Sequence, residues 1–273
     1  MAERLSIDAQ CAQIRVHGHR GARARLPENT IPGFEYAIDH GVDALEMDLA
    51  VTKDDVLVVS HDPILHAPVC SGPRENAVIR EMTFRELGRW DCGATQNPRF
   101  PFQKPVPGTR IPTLHDVFQL SNRGTFDYHI EIKSFPGHPQ FAPPPEEFAR
   151  LVLEEIRRFR LERRVAVLSF DFRTLVAMRK LAPEIRLSAL TETDPRDFAL
   201  IAQDAADAEI VSPAVHLATG EKVAAAHAAG LPVVPWTANA PQDWELLIKA
   251  QVDAIVTDDP AALIEYLEQR GLR

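Results

Sequence analysis

The chain is 273 residues long, 45% hydrophobic and 25% charged, fractions that exclude collagen-like, disordered and disulfide-scaffold classes. Its 30 basic and 39 acidic residues leave a net charge of −9, a sign that repels phosphodiester polymers and anionic membrane faces, so nucleic-acid binding is not expected. A small anionic substrate remains compatible where a local cation or metal inverts the field.

In chain order, short apolar runs predict eight strands: Ile14–His19, Ala44–Leu49, Tyr128–Lys133, Val165–Ser169, Ile185–Leu190, Glu209–Ser212, Pro232–Trp236 and Ala254–Thr257. A ninth run, Val56–Ser60, follows the turn-forming Thr52–Asp55 and reads as a hairpin return. Helical signals lie between them. Thr30 caps a segment with Pro32 early and Gly41 just past its end. Glu146–Phe159 carries Phe148, Leu151, Val152, Ile156 and Phe159 at helical spacing, and Asp171–Leu181 opens on an Asp cap and closes before Pro183. Thr219–Gly230 is alanine-rich, while Pro241–Ala250 and Pro260–Gln269 begin with proline where helices tolerate it.

This alternation predicts an α/β protein with a (β/α)8 TIM barrel, residues 1–273 forming one catalytic domain. An open doubly wound sheet is the alternative, but the first strand runs into His17-Gly-His-Arg-Gly21 rather than a glycine-rich phosphate loop. Two segments break the rhythm. Residues 62–113 hold eight prolines and read as an insertion after the second strand and its hairpin, and residues 134–145 hold five more. Both follow strand C-terminal ends, the face where barrel active sites lie.

The three cysteines, Cys11, Cys70 and Cys92, form an odd set without metal-ligand spacing. Free thiols in a reducing compartment are the expected state. Met1–Asp8 lacks a charged-then-apolar leader pattern, and no apolar run approaches the ~18 residues of a membrane span, so a cytoplasmic location is expected.

The ionisable residues gather at predicted strand ends. His19 and Arg20 end the first strand, Glu46 and Asp48 lie in the second, His61 and Asp62 end the hairpin return, Glu131 and Lys133 end the third, and Trp236 ends the seventh. Glu46 and Asp48, two apart on a strand, share one face, and two carboxylates aimed into a barrel call for compensation. A salt bridge to Arg20 or Lys133 would serve. A hard divalent cation, with Glu131 as a third oxygen ligand, serves better; oxygen-only ligands select Mg²⁺ or Ca²⁺, with Mn²⁺ also admissible. His19 and His61 suit a general acid and general base acting at phosphorus, and Arg20 and Lys133 suit the phosphate. Trp236 can line the pocket beside a glycerol or headgroup. His17 is expected to be a buried, hydrogen-bonded packing residue; the other histidines, His129 among them, receive no role.

These residues resemble the glycerophosphodiester phosphodiesterase family. The match runs in the family's order through His19-Arg20-Gly21, Pro27-Glu28-Asn29-Thr30, Glu46-Met-Asp48, Thr52-Lys53-Asp54, His61-Asp62-Pro63, Ile111-Pro-Thr-Leu114, Glu131-Ile-Lys133, Ser169-Phe170 and Pro235-Trp-Thr237. The resemblance implies a (β/α)8 barrel with an insertion, and divalent-metal-dependent hydrolysis of glycerophosphodiesters to glycerol 3-phosphate and an alcohol such as choline or ethanolamine. It implies His19 and His61 as the catalytic pair, Glu46, Asp48 and Glu131 as metal ligands, and Arg20 and Lys133 on the phosphate. Glu28 and Asn29 would brace the loop after the first strand. Asp55 stands where the family has a turn glycine, and His17 where a small or apolar residue is usual; a charged His17 would perturb the titration of His19.

Two rivals are carried. A lysophospholipase D or sphingomyelinase D-like activity would need an apolar groove at the mouth, for which Phe100, Phe102, Phe135 and Phe141 are candidates. A non-catalytic phosphate-ester binding protein would have lost a histidine or a carboxylate of the set, and none is missing.

Overall fold

The computed structural model describes residues 13–273; Cys11 and Met1–Asp8 lie outside the described residues. β1 (Arg15–Gly18) leads through α1 (Ile31–Asp39) to β2 (Ala44–Val51), which turns back into β3 (Leu57–Val59). β4 (Ile64–Leu65), β5 (Ala77–Val78) and the one-turn α2 (Phe84–Leu87) follow, and α3 (Leu114–Phe118) leads to β6 (Asp127–Ile132). Strands and helices then alternate: α4 (Pro145–Phe159), β7 (Val165–Ser169), α5 (Phe172–Leu181), β8 (Arg186–Thr191), α6 (Phe198–Asp204) and β9 (Ile210–Pro213). α7 (Gly220–Ala228), α8 (Pro241–Ala250), β10 (Ala254–Thr257) and α9 (Pro260–Glu268) complete the chain. No helix among the described residues is long and apolar enough to cross a membrane.

The parallel sheet runs β10-β1-β2-β6-β7-β8-β9, with β3 antiparallel on β2. The seventh expected strand, Pro232–Trp236, is not a regular strand, because Pro232 and Pro235 have no N–H for a continuous ladder. It still closes the ring. Val234 N–H donates to the Val211 carbonyl and Trp236 N–H to that of Pro213 on one side. On the other side Val256 N–H donates to the Pro235 carbonyl at 3.0 Å. The result is a (β/α)8 barrel.

Alternation along the strands sorts two environments. Outward residues such as Leu45, Met47 and Leu49 on β2 are fully buried under the helices, where Phe34 of α1 and Phe118 of α3 join them. Inward residues of β7, β8, β9, β10 and the irregular 232–236 segment form a smaller apolar cluster, including Leu168, Leu190, Ile210, Val234 and Val256. The inward positions of β1, β2 and β6 are polar instead: His17, Glu46, Asp48, His129 and Glu131 are all buried. That asymmetry sets the site.

The expected helices appear within a residue or two of their signals. Thr30 caps α1, accepting from Gly33 N–H, and Asp171 caps α5, accepting from Arg173 N–H. α6 carried no sequence expectation; it is only seven residues long and has no side-chain cap bond. At the β2–β3 turn Asp55 adopts φ 59°, the left-handed conformation that aspartate tolerates.

Within residues 62–113, β4 and β5 pair antiparallel, and Thr83 and Glu86 form a capping box on α2. Leu65, Ile79, Met82, Leu87, Trp90 and Ile111 make a separate apolar cluster seated on Ala50 and Val58. The free-thiol expectation is corrected here: Cys70 and Cys92 form a disulfide. Ser71 and Asp91 exchange two backbone hydrogen bonds of 2.9 and 2.8 Å, which brings the neighbouring cysteines together although 22 residues separate them. The pairing also removes the argument for a reducing compartment that rested on these thiols.

Candidate active site

Glu46 and Asp48 project inward from β2, and register sets Asp48 beside Glu131 of β6. One oxygen from each of the three lies within 4.8 Å of the others, and each residue is 7% exposed or less. Burial and the charge of Asp48 push Glu46 well above the usual carboxylate range. Its hydrogen bond comes from the Arg20 backbone N–H at 2.9 Å, with no Arg or Lys side chain among the described residues paired to it. Burial alone would raise Asp48 too, but Arg20, His61, Lys133 and a hydrogen bond from Asn29 Nδ2 at 2.9 Å hold it below that range. Glu131 is pushed by burial up to about 7, although Lys133 Nζ lies 3.1 Å from its Oε1.

The loop after β1 makes this geometry. Arg20 and Gly21 take φ 51° and 85°, which turns the Arg20 amide onto Glu46 and leaves its guanidinium Nε 3.3 Å from Asp48 Oδ2. A Cβ on Gly21 would stand 2.8 Å from the Gly33 backbone, so the close approach of this loop to α1 needs glycine. Glu28 anchors the other side of Arg20, accepting from Nη1 at 2.8 Å.

A charge count tests whether a metal fits. With every carboxyl ionised, as metal binding requires, the cluster and its ion-pair partners hold five carboxylates (Glu28, Glu46, Asp48, Glu131 and Asp258) against three cations (Arg20, Arg23 and Lys133). Five minus three leaves two negative charges, the charge one divalent cation neutralises, and every donor is a hard oxygen. The salt-bridge alternative is therefore present for Asp48 and Glu131 but incomplete for Glu46.

His19, ending β1, approaches Asp258 with Nδ1 2.6 Å from Oδ1. Burial lowers its pKa to about 4 against the pull of Asp258, so the ring is neutral at pH 7. With the proton placed on Nδ1 by the carboxylate, the Nε2 lone pair turns inward, 3.9 Å from Glu46 Oε2. His61, less buried, sets Nδ1 2.7 Å from Asp62 Oδ1.

A cavity of about 340 Å³ receives all eight expected side chains: His19, Arg20, Glu46, Asp48, His61, Glu131, Lys133 and Trp236. Leu168, Phe170, Leu190 and Val256 form its apolar wall with Trp236, whose ring Phe170 meets edge-on at 5.5 Å. Trp236 Nε1 donates to the Ser212 carbonyl at 2.9 Å, which fixes the indole. Glu28 and Asn29 hold Arg20 and Asp48, the bracing role expected of them. Phe100, Phe102, Phe135 and Phe141 do not line this cavity; Phe102 is 72% exposed, and Phe135 packs against Phe141 in the 134–145 loop.

His17 departs from expectation. It is buried, but neither ring nitrogen has a hydrogen-bond partner among the described residues; it packs edge-on against His129 at 4.3 Å. Burial holds both rings neutral, His129 at about 3, so no positive charge from His17 reaches His19. Sequence reasoning passed over His129 and Arg23, which line the cavity, Asp258, which anchors His19, and Asn239, which holds Asp258. Asp258 follows the last strand in Thr257-Asp-Asp-Pro260, a strand-end position that barrel logic could have flagged.

Residues 19–262 match the glycerophosphoryl diester phosphodiesterase family. The chain belongs to this family. A glycerophosphodiester phosphodiesterase of Caldanaerobacter subterraneus subsp. tengcongensis is 31% identical over 263 residues, spanning 94% of this chain and 98% of the relative. A solved structure from Silicibacter pomeroyi, assigned to the glycerophosphoryl diester phosphodiesterases, superposes at TM-score 0.87 and 31% identity over 95% of each chain. An Oleispira antarctica phosphodiesterase solved with its product sn-glycerol-3-phosphate shares the fold at TM-score 0.79 and 21% identity, over 94% of this chain and 97% of its own.

Proposed function

We propose that this chain hydrolyses glycerophosphodiesters to glycerol 3-phosphate and an alcohol such as choline or ethanolamine. One observation carries the reading: two imidazoles, each anchored through Nδ1 by an aspartate, share a cavity with three cations and a three-carboxylate cluster short of positive charge. The family membership and the product held by the Oleispira neighbour support the same substrate class.

In this reading Glu46, Asp48 and Glu131 hold one Mg²⁺, Ca²⁺ or Mn²⁺ ion, which supplies positive charge against the phosphoryl oxygens. Arg20 and Lys133 hold the phosphate and share in neutralising its developing charge. His19, neutral with a free Nε2, accepts the proton of the attacking water as a P–O bond forms. His61 donates a proton to the departing alkoxide as the other P–O bond breaks. Trp236 and Phe170 shield the organic part of the diester from water.

The test is release of glycerol 3-phosphate from glycerophosphocholine, glycerophosphoethanolamine and lysophosphatidylcholine, each with and without a chelator. Release from the two glycerophosphodiesters that the chelator abolishes is expected. Turnover confined to lysophosphatidylcholine, or unaffected by chelation, overturns the reading.

A further inference from the structure

The insertion contributes a histidine that this chemistry leaves unused. His66 follows β4, with Nε2 2.9 Å from Asp62 Oδ2 and Nδ1 3.0 Å from the Ala67 carbonyl. The other oxygen of Asp62 is the one that meets His61 Nδ1. A neutral imidazole has one N–H and can donate once; an imidazolium donates twice. Both partners of His66 are acceptors, so the two contacts are satisfied together only by the charged ring.

We propose that His66 is a positioning residue: as an imidazolium it clamps Asp62 against His61, and the clamp loosens when it loses its proton. The inference rests on the reading of His61 as the proton donor. Asp62 gripped at both oxygens holds the Nδ1–H of His61, so that the Nε2–H of its imidazolium, the proton to be donated, faces the cavity. Asp62 is half-exposed, so without the second grip water competes for its carboxylate. Loss of either His66 proton turns a lone pair onto an acceptor oxygen at 2.9 or 3.0 Å, so the neutral ring keeps only one of its two contacts and the Ala67 carbonyl competes with Asp62 for it.

The surroundings favour the charged form. The Ala67 carbonyl, then Asp62, raise the pKa of His66, and the Glu28 carboxylate from the loop after β1 adds to them, while partial burial opposes. On the far side of His61 the charged groups that feel it are Asp48 and Glu131. The backbone of His66 is held in turn: its carbonyl accepts from Cys70 N–H at 3.0 Å, and Cys70 is tied to Cys92. The insertion thereby acquires a task, bracing the acid side of the site.

The experiment measures kcat and KM against pH for the wild type, His66→Ala and His66→Gln, together with ring ¹⁵N shifts of His61. His66→Ala should lose about tenfold in kcat with KM little changed. His66→Gln, whose amide donates without titrating, should recover most of kcat, and its alkaline fall should begin at higher pH than that of the wild type. Below the pH at which His66 loses its proton, the neutral fraction of His61 should be the Nδ1–H tautomer in the wild type and a mixture in His66→Ala. Wild-type kcat and pH profile in His66→Ala overturn the clamp, as does equal impairment of both variants with unchanged profiles. A wild type that releases no glycerol 3-phosphate overturns the proposed function instead, and the ¹⁵N shifts then decide the clamp alone: identical His61 tautomers in wild type and His66→Ala refute it.

Discussion

Asp258 Oδ1 stands 2.6 Å from His19 Nδ1 and accepts from Arg23 Nε at the same distance. The two residues are 239 positions apart in sequence, yet β10 pairs with β1 in the closing step of the barrel, with Gly18 beside Thr257. Ring closure therefore makes them neighbours. Asn239 completes the arrangement, donating from Nδ2 to Asp258 Oδ2 at 2.8 Å and accepting from the Asp258 N–H through Oδ1 at 2.9 Å. The carboxylate is held by three side chains, and these hydrogen bonds and charges keep it below the usual range despite its burial.

Asp258→Asn tests that anchor. The amide cannot impose the Nδ1–H tautomer on His19, because its own NH₂ can turn to face the ring. By analogy with catalytic triads that lose their aspartate, kcat should fall by about 10³–10⁴ while the fold stays intact. Metal titration should be unchanged, since Asp258 is not one of the three clustered carboxylates. Retention of kcat within threefold would remove His19 from the role of base.

His17 gives a stability prediction. Its two ring nitrogens are buried without partners among the described residues, and an unpaired buried polar group costs about 1–3 kcal/mol. His17→Leu, of similar volume, should therefore melt higher than the wild type. The gain should grow on acidification. The folded pKa of His17 lies well below 6.5, so between 6.5 and that value the unfolded chain binds a proton that the native state refuses, and stability is lost as pH falls. The difference in melting temperature between variant and wild type should be larger at pH 5.5 than at pH 7.5. Equal differences at both pH values would show that His17 is not held neutral.

The strand ends were legible in sequence because side-chain alternation and strand order together specify which residues face the mouth; that logic reached His19, Glu46, Asp48, Glu131 and Trp236. Pro232–Trp236 was legible as a run but not as an irregular strand, since its carbonyls find partners in and beside β9 and β10, far from it in sequence or on neighbouring strands. Asp258, Arg23 and Asn239 act through contacts that exist only once the barrel closes. His66 was hidden for another reason: its meaning lies in two acceptors at either end of one ring, which residue type does not reveal. His129 was passed over because its partner His17 lies on another strand.

The carboxylate cluster predicts a two-sided response to Glu46→Gln. Without metal, Glu46 is the member of the trio that lacks an Arg or Lys partner among the described residues, so the neutral amide should not destabilise the protein and should raise its melting temperature. With metal, the wild type should gain stability as RT ln(1 + [L]/Kd), about 2.7 kcal/mol at a hundredfold excess over Kd. Glu46→Gln should lose most of that gain. Melting curves over a Ca²⁺ and Mg²⁺ titration, for both proteins after chelation, check both halves. An unchanged metal-induced shift in the variant would exclude Glu46 as a ligand.

Cys70 and Cys92 close a loop across 22 residues, and a link of that span contributes about 3 kcal/mol in the chain-entropy account. The stabilisation should be local. The insertion has its own apolar cluster around Leu65, Met82 and Trp90, distinct from the core under the barrel helices. Reduction, or Cys70→Ser with Cys92→Ser, should therefore loosen residues 62–113 before the barrel melts. Limited proteolysis should cut the reduced protein within that segment at protease levels the oxidised form survives, while its far-UV circular dichroism changes little. The odd cysteine count pointed to free thiols because sequence cannot foresee that Ser71 and Asp91 pair their backbones; indistinguishable cleavage of the oxidised and reduced protein would restore that reading of these two residues.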